Sequence, residues 1–496
     1  LAILSAPMFF QPSLSITIVL FLATAIAFTG MFYLSGLISR SNPLRITAAL
    51  SYALWPALTS SITDTDFAQV IAIIALPYLA HSIAKIAGLG LANPGSFVST
   101  WSQVGVSAIL LAIIAASSPV LGLTLLVLIV GLAIARPSKL MALLFTTGLT
   151  LVWFAPLALE RLSTVSPIAI LMSPGFASPS ALEANWTLPF FGFGFDSLAF
   201  GLFIAVPVLL LALVSLLTPG AKASLGLWIV ALSALAVVFV GAGISFSFGQ
   251  ITSVNLELSS VMALYGLAVI ACFAQLSTAS TALRSIAISL VAVLGIAPAA
   301  FAMATNPPAV SYSDGRTVPS IIQADADAGL LVRTLKLGAG QDAVTAELFE
   351  GSGVKQEQLS TAYQIANSGL SDQNPQYQVL GQLVANLVSA NGSDVLTPLE
   401  EFGISYILVS PADRDLQMAL DSTSGLESIG ETDFGQLWKV QSVKSEPRVA
   451  ELDFAVTKIL SLGALLLYVL LALPTSSIRK RNGKESAIFV DAEESN

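Results

Sequence analysis

The apolar residues of this chain come in uncharged blocks of seventeen or more, such as Leu14 to Gly36 and Leu198 to Thr218. At a rise of about 1.5 Å per residue, a helix of that length crosses roughly 30 Å of hydrocarbon. Each block is therefore expected to span a membrane, not to pack inside a soluble core. Composition excludes the soluble alternative: 55% of residues are hydrophobic and 10% charged, with a mean hydropathy of +0.83, whereas soluble domains carry about 25% charged residues.

Apolar runs between charged or Pro/Gly breaks predict eleven spans, at 14–36, 46–62, 67–88, 100–117, 119–135, 140–158, 198–218, 225–245, 258–278, 285–304 and 454–473. At Ser117-Ser118-Pro119 two readings compete, a tight hairpin and one long tilted segment, and two helices are expected. Short basic loops stay cytoplasmic. Arg40, Arg45, Lys85, Arg136, Lys139, Lys222, Arg284 and the cluster Arg479, Lys480, Arg481 and Lys484 all fall on one side of the eleven spans, and among the loops outside the acidic stretch at 305–452 Arg161 alone departs. The expected protein is a multi-pass plasma-membrane protein with a cytoplasmic C-terminus, an extracytoplasmic stretch at 305–452 and an extracytoplasmic Leu1. An outside Leu1 that is not Met, with no signal-peptide pattern, leads us to expect at least one span upstream.

Residues 305–452 hold 19 of the 30 acids and 8 of the 21 bases. What remains is slightly basic, with no concentrated Lys/Arg surface of the kind nucleic acid requires. Within 305–452 the composition turns globular. Helices are expected at Pro319 to Ala328, Tyr377 to Ser389, Thr397 to Phe402 and Asp413 to Asp421, and strands at Leu330 to Leu337, Ile404 to Val409 and Gln436 to Val440. Thr397 and Pro398 are assigned N-cap and N1 of their helix, and Gly403 its end. The fold class is thus a polytopic α-helical membrane protein with a small α/β extracytoplasmic domain, divided as a bundle at 1–304, the α/β domain at 305–452, a last helix at 453–474 and a tail at 475–496. The single cysteine, Cys272, lies in a span, so the domain has neither disulfide nor thiol nucleophile. It also lacks a nucleophile elbow, a phosphate loop and histidine, and reads as a binding or lid domain.

Chemistry is expected in the outer loops. Coupled transporters place ionisable groups at mid-membrane, whereas these span centres are nearly charge-free; His81 and Lys85, one turn apart, lie toward the cytoplasmic end of their span. Asp64 and Asp66 sit between spans two and three, and the loop 159–197 carries Glu160, Arg161, Glu183 and Trp186. Carboxylates flanking a membrane cavity suit a general base or a divalent metal bridging a lipid phosphate. Arg161 suits a bidentate phosphate contact and Trp186 sugar stacking. The same acids also read as plain solvated loop residues, and Trp186 as an interfacial anchor.

The runs Phe32-Tyr33-Leu34-Ser35-Gly36-Leu37-Ile38-Ser39-Arg40-Ser41 and Leu44-Arg45-Ile46-Thr47-Ala48-Ala49-Leu50-Ser51-Tyr52-Ala53-Leu54-Trp55-Pro56 resemble the membrane half of large actinobacterial family 2 glycosyltransferases. So does Glu401-Phe402-Gly403-Ile404-Ser405-Tyr406-Ile407-Leu408-Val409, followed by Gly425-Leu426 and Leu437-Trp438-Lys439-Val440. In that family a cytoplasmic transferase domain precedes a multi-span region similar to the C-type enzymes, which use polyprenyl-phosphate-linked sugars. The resemblance implies assembly of cell-envelope polysaccharide or glycolipid, with membrane lipid and a lipid-linked sugar as partners. It also implies an upstream transferase domain outside this chain, and places the family's catalytic acid ahead of Leu1. Two other classes stay open: a transporter or flippase of lipid-linked glycans, and a non-catalytic scaffold for that upstream domain.

Overall fold

In a computed structural model, the residues described are 12–63, 66–89, 100–164, 198–248, 251–305, 316–339, 344–353, 375–389, 394–409, 414–441, 443, 446–447, 463, 466–467 and 470. They fall into two compact units. One is helical, from the described parts of Leu1–Phe246, Ser253–Val310 and Phe454–Asn496; the other is α/β, from Ser247–Thr252 and Ser311–Asp453.

The helical unit comprises α1 (Pro12–Gly36), α2 (Asn42–Ala53), α3 (Pro56–Thr63), α4 (Phe67–Ile86), α5 (Thr100–Ser117), α6 (Pro119–Ala135) and α7 (Leu140–Thr164). After residue 197 follow α8 (Leu198–Val214), α9 (Ala221–Ala242), α10 (Ser259–Ala274), α11 (Thr281–Val291) and α12 (Ala297–Thr305); between α9 and α10 lie the paired strands β1 (Ser245–Phe248) and β2 (Ile251–Asn255), which include the Ser247–Thr252 stretch grouped with the α/β unit. Five helices are long and apolar enough to cross a membrane: Leu14–Gly36, Phe67–Ile86, Ala221–Ala242, Ser259–Thr278 and Thr281–Phe301. A sixth results if Pro119–Ala135 and Pro137–Val152, which meet at 114°, form one broken span. The described residues thus carry five or six such spans against the eleven expected, and the last expected span lies almost wholly outside them.

One expected span needs correction. Segment 46–62 is two helices, because Pro56 has no N–H to give the Tyr52 carbonyl. The Trp55 N–H takes that carbonyl instead at 3.0 Å, and α3 restarts at Pro56. Residues 100–135 do form two helices. Ser118 between them is extended (φ −142°, ψ 94°), and its Oγ lies 2.6 Å from Ser260 Oγ.

The centre of the unit is α10, buried at every residue from Ser260 to Ala274 and packed by α2, α3, α4, α6, α8 and α9. Its sequence is apolar all round, which suits a helix covered on every side. Its small residues, Ala263, Gly266, Ala268 and Ala271, let neighbours approach closely. At Gly266 the Trp55 indole occupies the space where a Cβ would stand, so the α2–α3 break is keyed onto α10. A second link repairs a defect in α4. Pro77 lies inside that helix and leaves the Ile73 carbonyl without its i+4 donor. The fully buried Tyr52 hydroxyl donates to it at 2.8 Å.

The α/β unit contains α13 (Ser320–Asp327), β3 (Leu330–Leu331), β4 (Arg333–Ala339), β5 (Val344–Glu350), α14 (Pro375–Ser389), α15 (Leu396–Glu401), β6 (Ile404–Val409), α16 (Arg414–Asp421), β7 (Leu426–Thr432), β8 (Gly435–Val440) and β9 (Glu446–Pro447). Its sheet runs β5-β4-β6-β8-β7, antiparallel except for the β4–β6 pair. The central strand β6 is buried at all six positions. Leu383, Leu387, Leu399 and Leu420 from α14, α15 and α16 cover one face, over Ile407, Val409 and Trp438. Ile322 of α13 covers the other, with Tyr406, Leu408 and Leu437. Two details differ from expectation. Residues 330–337 form two strands, not one. The α15 start is capped not by Thr397 but by Asp394, whose Oδ1 accepts the Leu396 and Thr397 N–H groups.

Tyr52→Phe is expected to cost about 1–2 kcal/mol in unfolding of the detergent-solubilised protein, through the orphaned Ile73 carbonyl. Pro77→Ala restores an N–H for that carbonyl, so the same change should cost distinctly less in that background. Equal cost in both backgrounds would contradict the link.

Candidate functional site

Of the six residues singled out from the sequence, Asp66 alone has a described side chain. Asp64, Glu183 and Trp186 lie outside the described residues. Glu160 and Arg161 fall on the last turns of α7 by their backbone, with their side chains outside the description.

Asp66 ends the turn between α3 and α4, its N–H bonded to the Ser61 carbonyl at 2.9 Å. Its carboxylate is the N-cap of α4: Oδ1 accepts the Gln69 N–H at 3.2 Å and Oδ2 accepts Gln69 Nε2–H at 2.9 Å. Ser61 Oγ, on α3, in turn lies 3.1 Å from Gln69 Oε1. The cap satisfies donors that the first turn of α4 leaves open and sets a negative charge at the positive end of that helix. A side chain so held has little freedom to move onto a substrate.

The arrangement also brings in a residue the sequence reading passed over. Glu257, two positions ahead of α10, is 2% exposed, and its Oε1 accepts the Ser259 N–H at 2.8 Å. Burial is the main cause that lifts its carboxyl from the ordinary 4.5 to about 7; bonds from Ser259 oppose the lift and the Asp66 carboxylate adds to it. The structure thus places two carboxylates, from the starts of two packed helices, within electrostatic reach of each other. The Ser118–Ser260 hydroxyl pair lies at the same end of α10. A carboxyl that exchanges its proton near neutral pH is equipped for general acid or base chemistry. The signal was in the sequence: Glu257 is the only carboxylate between Asp196 and Asp314. Among the described residues, no group of three or more His, Cys, Asp or Glu gathers as metal ligands.

In the α/β unit the polar side chains bridge elements. Tyr406 Oη donates to Asp325 Oδ2 at 2.6 Å, and Trp438 Nε1 donates to Asp421 Oδ1 at 2.9 Å. Each fastens a helix to the sheet and is accounted for by that role.

Two solved structures of a mutant of arabinofuranosyltransferase AftD from mycobacteria, determined by single-particle cryo-electron microscopy, align with this chain at TM-scores of 0.55 and 0.50. The fold is shared with a mycobacterial arabinofuranosyltransferase. In both alignments identity is 15%, and 88% of this chain is covered against 36% of the other. The likeness is therefore one of fold, and this chain spans about a third of the length of those proteins. It agrees with the C-type, membrane-glycosyltransferase side of the resemblance and does not bear on the family 2 side. No protein-family model and no curated protein matches the chain.

Because the folded Glu257 holds its proton more tightly than an unfolded glutamate, stability is unaffected below about pH 4.5 and falls as pH rises towards about 7. Glu257→Gln removes this loss. The variant should be more stable than the parent above about pH 7, by at most about 3 kcal/mol, and converge with it in acid. A variant less stable than the parent at every pH would show that the carboxylate's bond to Ser259 outweighs its burial.

Proposed function

We propose that the chain is the membrane part of a glycosyltransferase that builds cell-envelope polysaccharide or glycolipid, taking its sugar from a polyprenyl-phosphate-linked donor at the outer face of the plasma membrane. The observation that carries the proposal is the fold likeness over 88% of the chain to an arabinofuranosyltransferase. The carboxylate pair supports it, since sugar transfer to a hydroxyl needs a proton acceptor.

In this reading all eleven segments cross the membrane, residues 305–452 face outside and the C-terminus is cytoplasmic. The loops at 63–66 and 159–197 and the end of the bundle bearing Glu257 then share the outer side. Arg161 holds the donor phosphate by charge-assisted hydrogen bonds. Glu160, Glu183 and Trp186 line the sugar, Asp64 and Asp66 belong to the acidic wall that faces it, and a divalent metal on these acids is compatible with the reaction. A cytoplasmic transferase domain upstream, as in the family the sequence resembles, hands the growing product to this region. The nearly charge-free span centres disfavour a coupled transporter.

The full-length protein, supplied with lipid-phosphate-linked arabinofuranose and a synthetic arabinofuranoside acceptor as first probes, should transfer the sugar. Asp64→Ala, Asp66→Ala and Arg161→Ala should each lower the rate. Wild-type rates in all three variants would remove these loops from the chemistry.

A further inference from the structure

We propose that the cytoplasmic end of the groove between α1 and α4 binds the phosphate of an anionic phospholipid, with Lys85 and Arg40 as the ion-pairing groups and the Tyr33 hydroxyl beside them. The proposal rests on the membrane-crossing part of the reading above and is independent of sugar transfer.

The two helices pack on each other and run the same way. Thr29 meets Tyr78, and one turn on in both helices Tyr33 meets His81. Tyr78 Oη lies 2.6 Å from Thr29 Oγ1 and donates to the Ile26 carbonyl at 3.0 Å, so this inner pair is satisfied within the protein. The Tyr33 and His81 rings stand 6.3 Å apart between centroids, tilted by 58°. Lys85 follows His81 by one more turn on the same face of α4, and the chain leaves α1 towards Arg40 at this same end. The end of the groove is open: Tyr33 is 57% exposed, Arg40 is exposed, and His81 and Lys85 are half-buried.

Three cations gather around this end. Arg45 of α2 is fixed on it, with its guanidinium 4.0 Å from the Phe32 ring centroid and donating to the Phe32 carbonyl at 3.2 Å, while its Nε is buried without a hydrogen-bond partner. Lys85 and Arg40 make no hydrogen bond or ion pair among the described residues. No carboxylate is at hand. Between Leu1 and Glu160 the chain has only Asp64 and Asp66. Asp66 caps the opposite end of α4, roughly 28 Å from Lys85 at the rise of a helix, and Asp64 precedes it. The ends of α1 and α4 offer at most about half an elementary negative charge each. Against three whole positive charges this leaves an excess of about two. That excess stands at the depth of the headgroups, where a half-buried cation is costly unless paired and phosphate is the anion within reach. Snorkelling would bring Lys85 alone to water. It would leave the Tyr33 hydroxyl, which also has no hydrogen bond among the described residues, without an acceptor. A phosphate at this point accepts from both, and a headgroup that adds no cation of its own balances the charge.

The test is native mass spectrometry of the full-length protein released from mild detergent, with phosphatidylglycerol, phosphatidylcholine and inorganic phosphate as probes. The wild type should retain phosphatidylglycerol in preference to the other two. Lys85→Gln should weaken that retention about tenfold, Lys85→Arg should restore most of it, and Tyr33→Phe should weaken it less. Arg40→Gln, at an exposed loop position that the fold does not depend on, should weaken it several-fold and serves where Lys85→Gln fails to fold. Arg136→Gln, which removes another cation of the same side outside the groove, should leave it unchanged. Undiminished retention in Lys85→Gln and Arg40→Gln overturns the site, and so does an equal loss in Arg136→Gln, which marks a diffuse surface attraction. Phosphate retained as well as the lipid overturns the lipid as its occupant. The side is read separately, by an impermeant maleimide on Ser138→Cys in right-side-out vesicles: labelling should need a breached membrane, and labelling of intact vesicles overturns the reading of sides whatever the lipid result.

Discussion

A carbonyl stripped of its helical donor inside an apolar bundle must find another, because neither lipid nor apolar side chains can supply one. Pro77 creates that situation at Ile73, and the Tyr52 hydroxyl resolves it across the gap between α4 and α2. Tyr52 lies on the last turn before the break that Pro56 imposes, and the Trp55 indole in that break lies on Gly266 of α10. Two prolines, two aromatic side chains and one glycine thus lock α2, α3, α4 and α10 into a single arrangement.

That arrangement determines what can sit at the end of the bundle. Because α3 leaves the Trp55 break at a fixed place, its last turn brings Ser61 to Gln69 and the chain to Asp66, which starts α4. Because α10 is covered on every side, the residues just ahead of it are drawn out of water, and Glu257 is among them. The raised proton affinity of Glu257 follows from the packing of the helix behind it more than from any partner beside it. Elsewhere in the membrane unit, charge is kept away from the centre. The pair therefore stands out for its cost as well as its position.

Much of this order could be read from the sequence where one physical signal dominates. Long apolar blocks marked the helices, and the run from Ile404 to Val409 marked a strand buried on both faces. Strands β5 and β7 were missed because they lie at the two edges of the sheet with half-buried or exposed residues at nearly every position, so they carry no continuous apolar run. The proline at 56 was in plain view, but the hydropathy of 46–62 masked the break it makes. Asp394 took the cap assigned to Thr397 because its carboxylate reaches two N–H groups and the Thr397 hydroxyl together. The site was legible only in part. Asp66 could be named from its loop, but its capping role depends on Gln69, and the burial of Glu257 depends on how the helices around α10 pack, most of them distant in sequence. No local pattern carries that information.

Sugar transfer from a lipid-linked donor at the outer face can be assayed with the full-length protein in sealed vesicles of the two orientations, with donor in the bilayer and an acceptor that cannot cross it. Right-side-out vesicles should transfer sugar to the external acceptor, and inside-out vesicles should do so only after the membrane is breached. Transfer by intact inside-out vesicles alone would contradict the account.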